Sequence, residues 1–153
     1  MKRTSLRTAC CPVARALDVI GDWWSLLIVR DAFKGVRRFG AFQESLGVAR
    51  NILAARLKSL TANGILETVP AADGSGYREY VLTEKGRALL PVLIALGQWG
   101  GEHLFAADER RAGAVDAAQG RPLRRLEMRA ADGRLLGPGD IRIVTGAPAE
   151  FPA

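Results

Sequence analysis

Apolar residues recur every three or four positions in four short segments of the first 62 residues, which is the spacing of amphipathic helices. A glycine lies within two residues of the end of each segment, and Pro12 stands where proline favours the first helical position. The periodicity therefore predicts helices over residues 12–20, 23–33, 39–46 and 49–62.

Two segments with the alternating pattern of strands follow, Ile65–Val69 and Tyr77–Leu82. The loop between them, residues 70–76, is rich in glycine and contains Asp73, which favours a hairpin. Helices followed by a hairpin in this order are typical of a winged helix-turn-helix. The predicted fold class is therefore α+β and mostly helical.

A long helical segment comes next, with Thr83 as its cap and with Pro91 expected to kink or divide it. Its apolar stripe is longer than so small a domain needs for its own core, so we predict that it pairs with a second subunit in a homodimer. The alternative is that it folds back on its own domain. The residues assigned to dimerisation are Leu89, Leu93, Leu96, Trp99 and His103.

The last third of the chain has a different character. Residues 106–122 are rich in alanine and glycine and indicate a linker, whereas residues 126–129 and 141–144 alternate like strands. A lone hairpin is only marginally stable, so it must dock on another surface. The predicted organisation is a winged helix-turn-helix and dimerisation domain over 10–105, that linker, and a small C-terminal β-hairpin extension over 123–153.

The positive charge of the chain is concentrated in one stretch. Seven basic and two acidic residues lie between Arg30 and Lys58, which gives this stretch +5 of the chain's net +6. It contains the third and fourth helices, so cations lie beside a helix of a size that fits a DNA groove. We therefore predict binding to double-stranded DNA and not catalysis.

The fourth helix carries leucines on one face and a small, basic surface on the other. On the outward face Arg50 and Asn51 can hydrogen-bond base edges, and Ala54 can contact a thymine methyl group. A solvated helix face or an intramolecular salt bridge is the alternative for each cation. The residues expected to contact phosphate are Arg37, Arg38, Arg56, Lys58 and Arg78.

Other classes of function fit the sequence less well. Gly74-Ser75-Gly76 is a hairpin tip and not a strand-to-helix phosphate cradle, and His103 is the single histidine, so we expect no enzyme, metal or cofactor. Charged residues interrupt the apolar stretch 11–33, which argues against a membrane span. No secretory signal is visible, so the predicted location is the cytoplasm.

Two alternatives remain open at this point. Cys10 and Cys11 could make the chain a thiol-based redox or metalloid-binding protein, although neighbouring cysteines form a disulfide only with strained geometry. The domain could instead be a winged-helix module that binds protein and no DNA.

Several motifs in order make the chain resemble the HxlR-type family of bacterial winged-helix transcription regulators. They are Cys11-Pro12, the segments 21–31 and 38–42, and Tyr80 to Gly86. The resemblance covers about residues 10–105. It implies a homodimer on a palindromic operator, most often as a repressor, with the fourth helix in the major groove and the wing near the minor groove.

The resemblance also implies a role for Cys11, because several members of that family respond to electrophiles or oxidants through a cysteine at this position. Cys11 would be the N-cap of the first helix, where free backbone N–H groups and the nearby Arg15 favour a thiolate. A cysteine of ordinary reactivity is the alternative.

This chain departs from the family pattern in the fourth helix. Ala49 stands where members usually have Ser or Thr, so the side-chain cap is missing, and Ala54 and Ala55 replace polar residues. Direct base readout would then depend on Arg50 and Asn51.

The aromatic residues raise one further question about ligands. They could line a pocket for an aromatic effector, although core packing accounts for them as well. The residues concerned are Trp23, Trp24, Phe33, Phe39, Phe42 and Trp99.

Overall fold

The structure of the protein, a computed structural model, describes residues 4–144. The chain divides into two compact units that meet between Leu93 and Ile94. The first unit contains α1 (Pro12–Ile20), α2 (Trp23–Phe33), α3 (Phe39–Leu46), α4 (Arg50–Ala62), β1 (Leu66–Pro70), β2 (Arg78–Leu82) and α5 (Glu84–Arg87). Helix α6 (Leu90–His103) begins in the first unit, and β3 (Met128–Arg129) and β4 (Leu135–Leu136) belong to the second.

The helices begin and end where the sequence supplies the local chemistry. Asp22 caps α2 by accepting a hydrogen bond from the backbone N–H of Ser25 at 3.0 Å. Gly47 ends α3 in the left-handed conformation, with φ of +61°, which a residue with a Cβ rarely adopts. The four predicted helices are confirmed, with ends that agree to within one residue.

The core of the first unit lies between α2, α3, α4 and the base of the hairpin. Helix α4 contributes Leu53, Leu57 and Leu60, all fully buried, and Phe42 of α3 is the largest side chain among them. Burying one such side chain stabilises a fold by roughly 1.5–3 kcal/mol. The apolar face of α4 is thus fixed against the body of the unit.

A fully buried carboxylate joins α2 to α3. Asp31 accepts hydrogen bonds from Ser45 Oγ at 2.7 Å and from Arg30 Nε at 2.9 Å, and Lys34 Nζ lies 3.6 Å away. A buried charge is tolerated when it is paired and hydrogen-bonded in this way. These contacts hold the two helices together at the end nearest the α3–α4 turn.

The wing is the antiparallel pair β1–β2, with Leu66 opposite Leu82 and Pro70 opposite Arg78. The backbone N–H of Tyr80 also donates to the carbonyl of Arg37 at 2.8 Å, which attaches β2 to the segment that leads into α3. Gly86 packs so closely below the sheet that a Cβ there would lie 2.1 Å from the carbonyl oxygen of Ile65. The wing is therefore held at its base by main-chain contacts on two sides.

The predicted long segment after the wing is divided into α5 and α6, and Pro91 lies in the first turn of α6. Leu89 and Leu93 pack against the core of the first unit. Leu96 and Trp99 are about half exposed. The stripe therefore has two different environments along its length.

The second unit differs from expectation in its hairpin. Met128 and Arg129 pair with Leu136 and Leu135, so the prediction of a strand over 141–144 is wrong. The reason is local: Gly133 has φ of +88° and its N–H donates to the carbonyl of Ala130 at 2.8 Å, which closes the turn early.

The segment before β3 contacts α6 through the side chain of Gln98 and through an ion pair between Arg125 Nη2 and Glu102 Oε2 at 3.1 Å. Gln98 Nε2 donates to the carbonyl of Arg124 at 2.9 Å, and Gln98 Oε1 accepts from the N–H of Leu126 at 2.8 Å. The expected linker, 106–122, contains an isolated bridge between Val115 and Pro122. The domain boundaries stay a prediction, and residues 145–153 of the extension lie outside the described part.

The winged helix-turn-helix class, α+β and mostly helical, is confirmed. Among the described residues, no helix has the length and apolar character needed to cross a membrane.

Candidate nucleic-acid interface

The outward face of α4 presents the side chains that the sequence assigned to DNA bases. Arg50, Asn51, Ala54 and Lys58 are all exposed, because the leucines at 53, 57 and 60 take the opposite face into the core. A helix of 13 residues is about 20 Å long, enough to lie along a stretch of major groove. The structure therefore brings the candidate base-contacting residues onto one surface.

The first turn of α4 is open to an external acceptor. Ala49 is the N-cap and makes no side-chain cap hydrogen bond, as the departure from the family pattern predicted. The guanidinium of Arg50 lies over the ring of Phe39, 5.1 Å from its centroid, so an α3 side chain supports its position. Arg50 is thus held beside the helix start and has no carboxylate partner within residues 4–144.

An open groove lies between α4 and the wing. Ala54 and Lys58 border it on the α4 side, and Thr68 and Tyr80 border it on the sheet side. The groove places the outward face of α4 next to β1 and β2, so a duplex in contact with α4 would also approach the wing. The remaining lining residues are Phe39, Thr61 and Ala62.

The side chain of Arg78 forms hydrogen bonds within the hairpin. Its Nη2 donates to both the carbonyl oxygen and Oγ1 of Thr68, each at 2.9 Å, across the β1–β2 pair. The side chain remains exposed, so its guanidinium is oriented along the wing surface. A phosphate contact from Arg78 stays a prediction.

Arg37 and Arg38 form ion pairs with carboxylates of the wing. Arg37 Nη1 lies 3.7 Å from Glu79 Oε2, and Arg38 Nε lies 3.5 Å from Glu79 Oε1. Arg38 Nη2 also donates to Asp73. The intramolecular salt bridge that the sequence left open as an alternative is therefore present for both arginines.

The charges of this cluster shift the pKa of two groups. The hydrogen bond to Asp73, followed by the charge of that carboxylate, raises the pKa of Arg38 above its usual value. The hydrogen bonds from Ser75 and then from Arg38 lower the pKa of Asp73 well below its usual value. A carboxylate whose pKa is lowered in the folded protein adds to stability while it is ionised, and this contribution is lost as the pH falls. Asp73 and Arg38 therefore both remain charged at neutral and mildly acidic pH.

Arg56 points away from the exposed face of α4. Its Nη1 lies 3.4 Å from Asp22 Oδ2, the carboxylate that caps α2, and its Nε is buried with no hydrogen-bond partner among the described residues. The expected phosphate contact of Arg56 stays a prediction, and the ion pair favours a structural role.

The sequence therefore identified the basic stretch but not its acidic partners. Of its seven cations, Arg50 and Lys58 have no ion pair within residues 4–144, whereas the other five do. The partners Asp22, Asp73 and Glu79 lie outside the stretch in sequence. In the sequence, Asp73 indicates only a turn. The alternating pattern of β2 does not indicate that Glu79 faces two arginines.

Cys11 is the N-cap of α1, and its thiol is exposed and free, as is that of Cys10. The guanidinium of Arg15 is turned toward the chain before the helix, where its Nε donates to the carbonyl of Ala9 at 2.5 Å. The position of Cys11 agrees with the sequence, while Arg15 is occupied by a backbone acceptor.

The aromatic residues do not share one environment. Phe42 is buried in the core, and Trp24, Phe33 and Phe39 pack against it. Trp23 is 79% exposed. In the second unit, the rings of Trp99 and His103 lie 5.5 Å apart on α6. Within residues 4–144, no group of three or more His, Cys, Asp or Glu side chains is placed to hold a metal ion.

Comparisons with known proteins agree with this geometry. The family model of HxlR-like helix-turn-helix proteins matches residues 19–108. The crystal structure of PA1607, a candidate transcription factor, is 55% identical, with a TM-score of 0.87 over 92% of this chain and 99% of that chain. Its match extends into the second unit as well as the winged domain.

Two further similarities concern the winged domain. The HTH-type transcriptional regulator Rv3095 of Mycobacterium tuberculosis is 46% identical over 92 residues, which are 60% of this chain and 58% of that protein. The chain thus spans less than two thirds of the length of that relative. The redox regulator HypR in its reduced form is 30% identical, with a TM-score of 0.56 over 61% of this chain and 94% of that chain.

Two basic residues on α4 should differ in their effect on stability, because Arg56 has a carboxylate partner and Lys58 has none within residues 4–144. Arg56→Ala should lower the free energy of unfolding by about 1 kcal/mol, because Asp22 loses an ion pair at the start of α2. Lys58→Ala, the matched control on the same helix, should leave it unchanged. Thermal unfolding followed by circular dichroism measures both, and equal melting temperatures for the two variants would contradict the structural role of Arg56.

Proposed function

The chain belongs to the family of HxlR-like helix-turn-helix proteins, and from that membership we propose that it is a sequence-specific DNA-binding regulator that represses transcription as a homodimer on a palindromic operator. Membership of this family implies a helix-turn-helix transcriptional regulator. The further details depend on the residues.

The outward face of α4 carries the proposal. Arg50 and Asn51 lie in its first turn, and Lys58 lies two turns further on, on the same exposed side. A pair of polar side chains, followed one turn later by the small residues Ala54 and Ala55, fits base-edge contact with close approach to the groove floor, and a lysine suits phosphate. Arg50 and Lys58 are also cations of the basic stretch without an internal carboxylate within residues 4–144.

The proposal predicts different consequences for base and phosphate contacts. Arg50→Ala and Asn51→Ala should each reduce the preference for operator over random duplex by roughly 1–3 kcal/mol. Lys58→Ala should weaken both duplexes alike, because a phosphate contact carries no sequence information. Fluorescence anisotropy with both duplexes at matched salt measures the two affinities.

Two outcomes would count against this assignment. If all three variants lost affinity equally on both duplexes, Arg50 and Asn51 would be phosphate contacts. If the unaltered protein bound random duplex with no dependence on salt, the domain would be a protein-interaction module instead.

We propose that the homodimer forms through the exposed apolar face of α6 that carries Leu96 and Trp99, called here the outer side of α6. Leu96 and Trp99 are 48% and 57% exposed, and within residues 94–144 no side chain is buried. An apolar helix face and a unit with no buried side chain fit a surface that a second copy covers. Of the residues first assigned to dimerisation, Leu89 and Leu93 serve the core of their own unit.

Charge placed on the outer side of α6 should therefore separate the subunits. Leu96→Asp combined with Trp99→Asp should give a monomer at micromolar concentration. Operator affinity should fall at least a hundredfold, because a single subunit then binds one half-site without its partner. Leu96→Met, which keeps the apolar surface, should remain dimeric. Sedimentation equilibrium measures the mass, and a double variant that stays dimeric would place the interface elsewhere.

We also propose Cys11 as the sensor of an electrophile or oxidant. The exposed thiol at the start of α1 supports it, as does the similarity to a redox regulator. Cys11 directly precedes the free backbone N–H groups in the first turn of α1, whereas Cys10 stands one residue further away, and such N–H groups can donate hydrogen bonds to a nearby sulfur.

Cys11 should accordingly react faster than Cys10. The Cys10→Ser variant should retain rapid alkylation by iodoacetamide at neutral pH, whereas Cys11→Ser should not. Cys10→Ser should also lose operator affinity after treatment with diamide and glutathione, which together form a mixed disulfide on the remaining thiol, and Cys11→Ser should keep its affinity. Equal alkylation rates together with operator affinity indifferent to this treatment would leave the DNA-binding proposal intact and remove the sensor. Continuous turnover of peroxide with a thiol reductant would instead indicate the redox-enzyme alternative.

A further inference from the structure

The tip of the wing, residues 71–77, receives a side-chain hydrogen bond from the helical part of the domain, and Arg38 donates it. Its own hydrogen bonds are internal: Ala71 N–H to the carbonyl of Tyr77 at 2.8 Å, and Ser75 N–H to Asp73 Oδ1 at 3.0 Å. Among the described residues, the side-chain hydrogen bond that joins this tip to the body comes from Arg38.

Arg38 is well placed to hold two parts of the domain together. It is the N-cap residue of α3, so its backbone belongs to the helix-turn-helix. Its side chain contacts the wing at three points: Asp73 at the tip, Glu79 in β2 at 3.5 Å, and the ring of Tyr77, with 5.9 Å between guanidinium carbon and ring centroid.

We propose that Arg38 is a positioning residue that anchors the wing tip to the start of α3, and not a phosphate-binding residue. Its planar guanidinium can satisfy two carboxylates at once, which a lysine cannot do in the same geometry. One of these carboxylates, Glu79, is 9% exposed, so removing the arginine leaves a nearly buried charge with fewer partners.

The anchor matters for DNA because, among residues 4–144, no other side-chain hydrogen bond joins the wing tip to the helices. A hairpin tip held only by its own turn samples many positions, and binding then selects the fraction that is correctly placed. If loss of the anchor leaves about 10–30% of dimers with both tips in place, the apparent affinity falls roughly three- to tenfold. This inference rests on the proposed DNA-binding function.

The two roles of Arg38 predict opposite effects for its partner. If Arg38 bound phosphate, Asp73→Asn would free a cation and remove an anion, so DNA would bind more tightly. If Arg38 is the anchor, Asp73→Asn should weaken operator binding three- to tenfold, as Arg38→Gln does. The double variant should then be no weaker than Arg38→Gln, because that substitution already removes the contact with Asp73.

Salt dependence supplies a second discrimination. A lost phosphate contact reduces the slope of log affinity against log salt by about 0.9 for each subunit. Arg38→Gln should leave this slope unchanged, whereas Lys58→Ala should reduce it. The control is Glu67→Gln, which removes one exposed negative charge from β1 and should leave affinity unchanged or slightly raised.

A measurement without DNA separates this proposal from the proposed function. Hydrogen exchange of the free protein should show faster exchange across residues 71–77 in Arg38→Gln and in Asp73→Asn, with no change in α4 or α6 and none in Glu67→Gln. This result is expected even if no operator is ever found. Unchanged exchange at the tip in both variants, tighter DNA binding by Asp73→Asn, or a reduced salt slope in Arg38→Gln would each overturn the anchor.

Discussion

Burial of one face of α4 determines what its other face presents. Leu53, Leu57 and Leu60 are fully buried, and each contributes roughly 1.5–3 kcal/mol, whereas an exposed charge on the same helix contributes less than about 1 kcal/mol. The core therefore sets the rotation of α4, and the polar residues follow from it. Every proposed base contact depends on this rotation, because a turn of one residue would move Asn51 about 100° around the axis.

Much of the first unit could be predicted from the sequence because its signals are local. The helix ends at Gly21, Gly47 and Asn63, the cap at Asp22 and the hairpin around Asp73 each depend on residues a few positions apart. The second hairpin could not be predicted in the same way. Residues 141–144 alternate as well as 126–129 do, and only the turn at Gly133 decides which segment pairs.

The candidate site was predicted in outline, but its charges were not. Counting residues along the chain gives +5 between 30 and 58, yet Asp22, Asp73 and Glu79 return from other segments to pair with that stretch. Sequence spacing cannot report such pairs, since they depend on how the wing folds back. Fewer cations are consequently free to meet DNA than the basic stretch contains. Within residues 4–144, Arg50 and Lys58 are the two of that stretch without an ion pair.

The N-terminal arm provides a physical connection that the proposal for Cys11 requires. Leu6 N–H donates to Asp18 Oδ1 of α1 at 3.0 Å, and Arg7 Nη2 donates to Asn63 Oδ1 at 3.2 Å, at the residue that ends α4. Cys11 lies between these two ties and the first turn of α1. The Cys11 thiol is exposed, so an adduct on it would act on α4 only by moving the segment 5–11. Such a movement would disturb the contact of Arg7 with Asn63, at the C-terminal end of the helix that carries the proposed DNA contacts. The contact between Arg7 and Asn63 would therefore connect a change at Cys11 to α4 within the first unit.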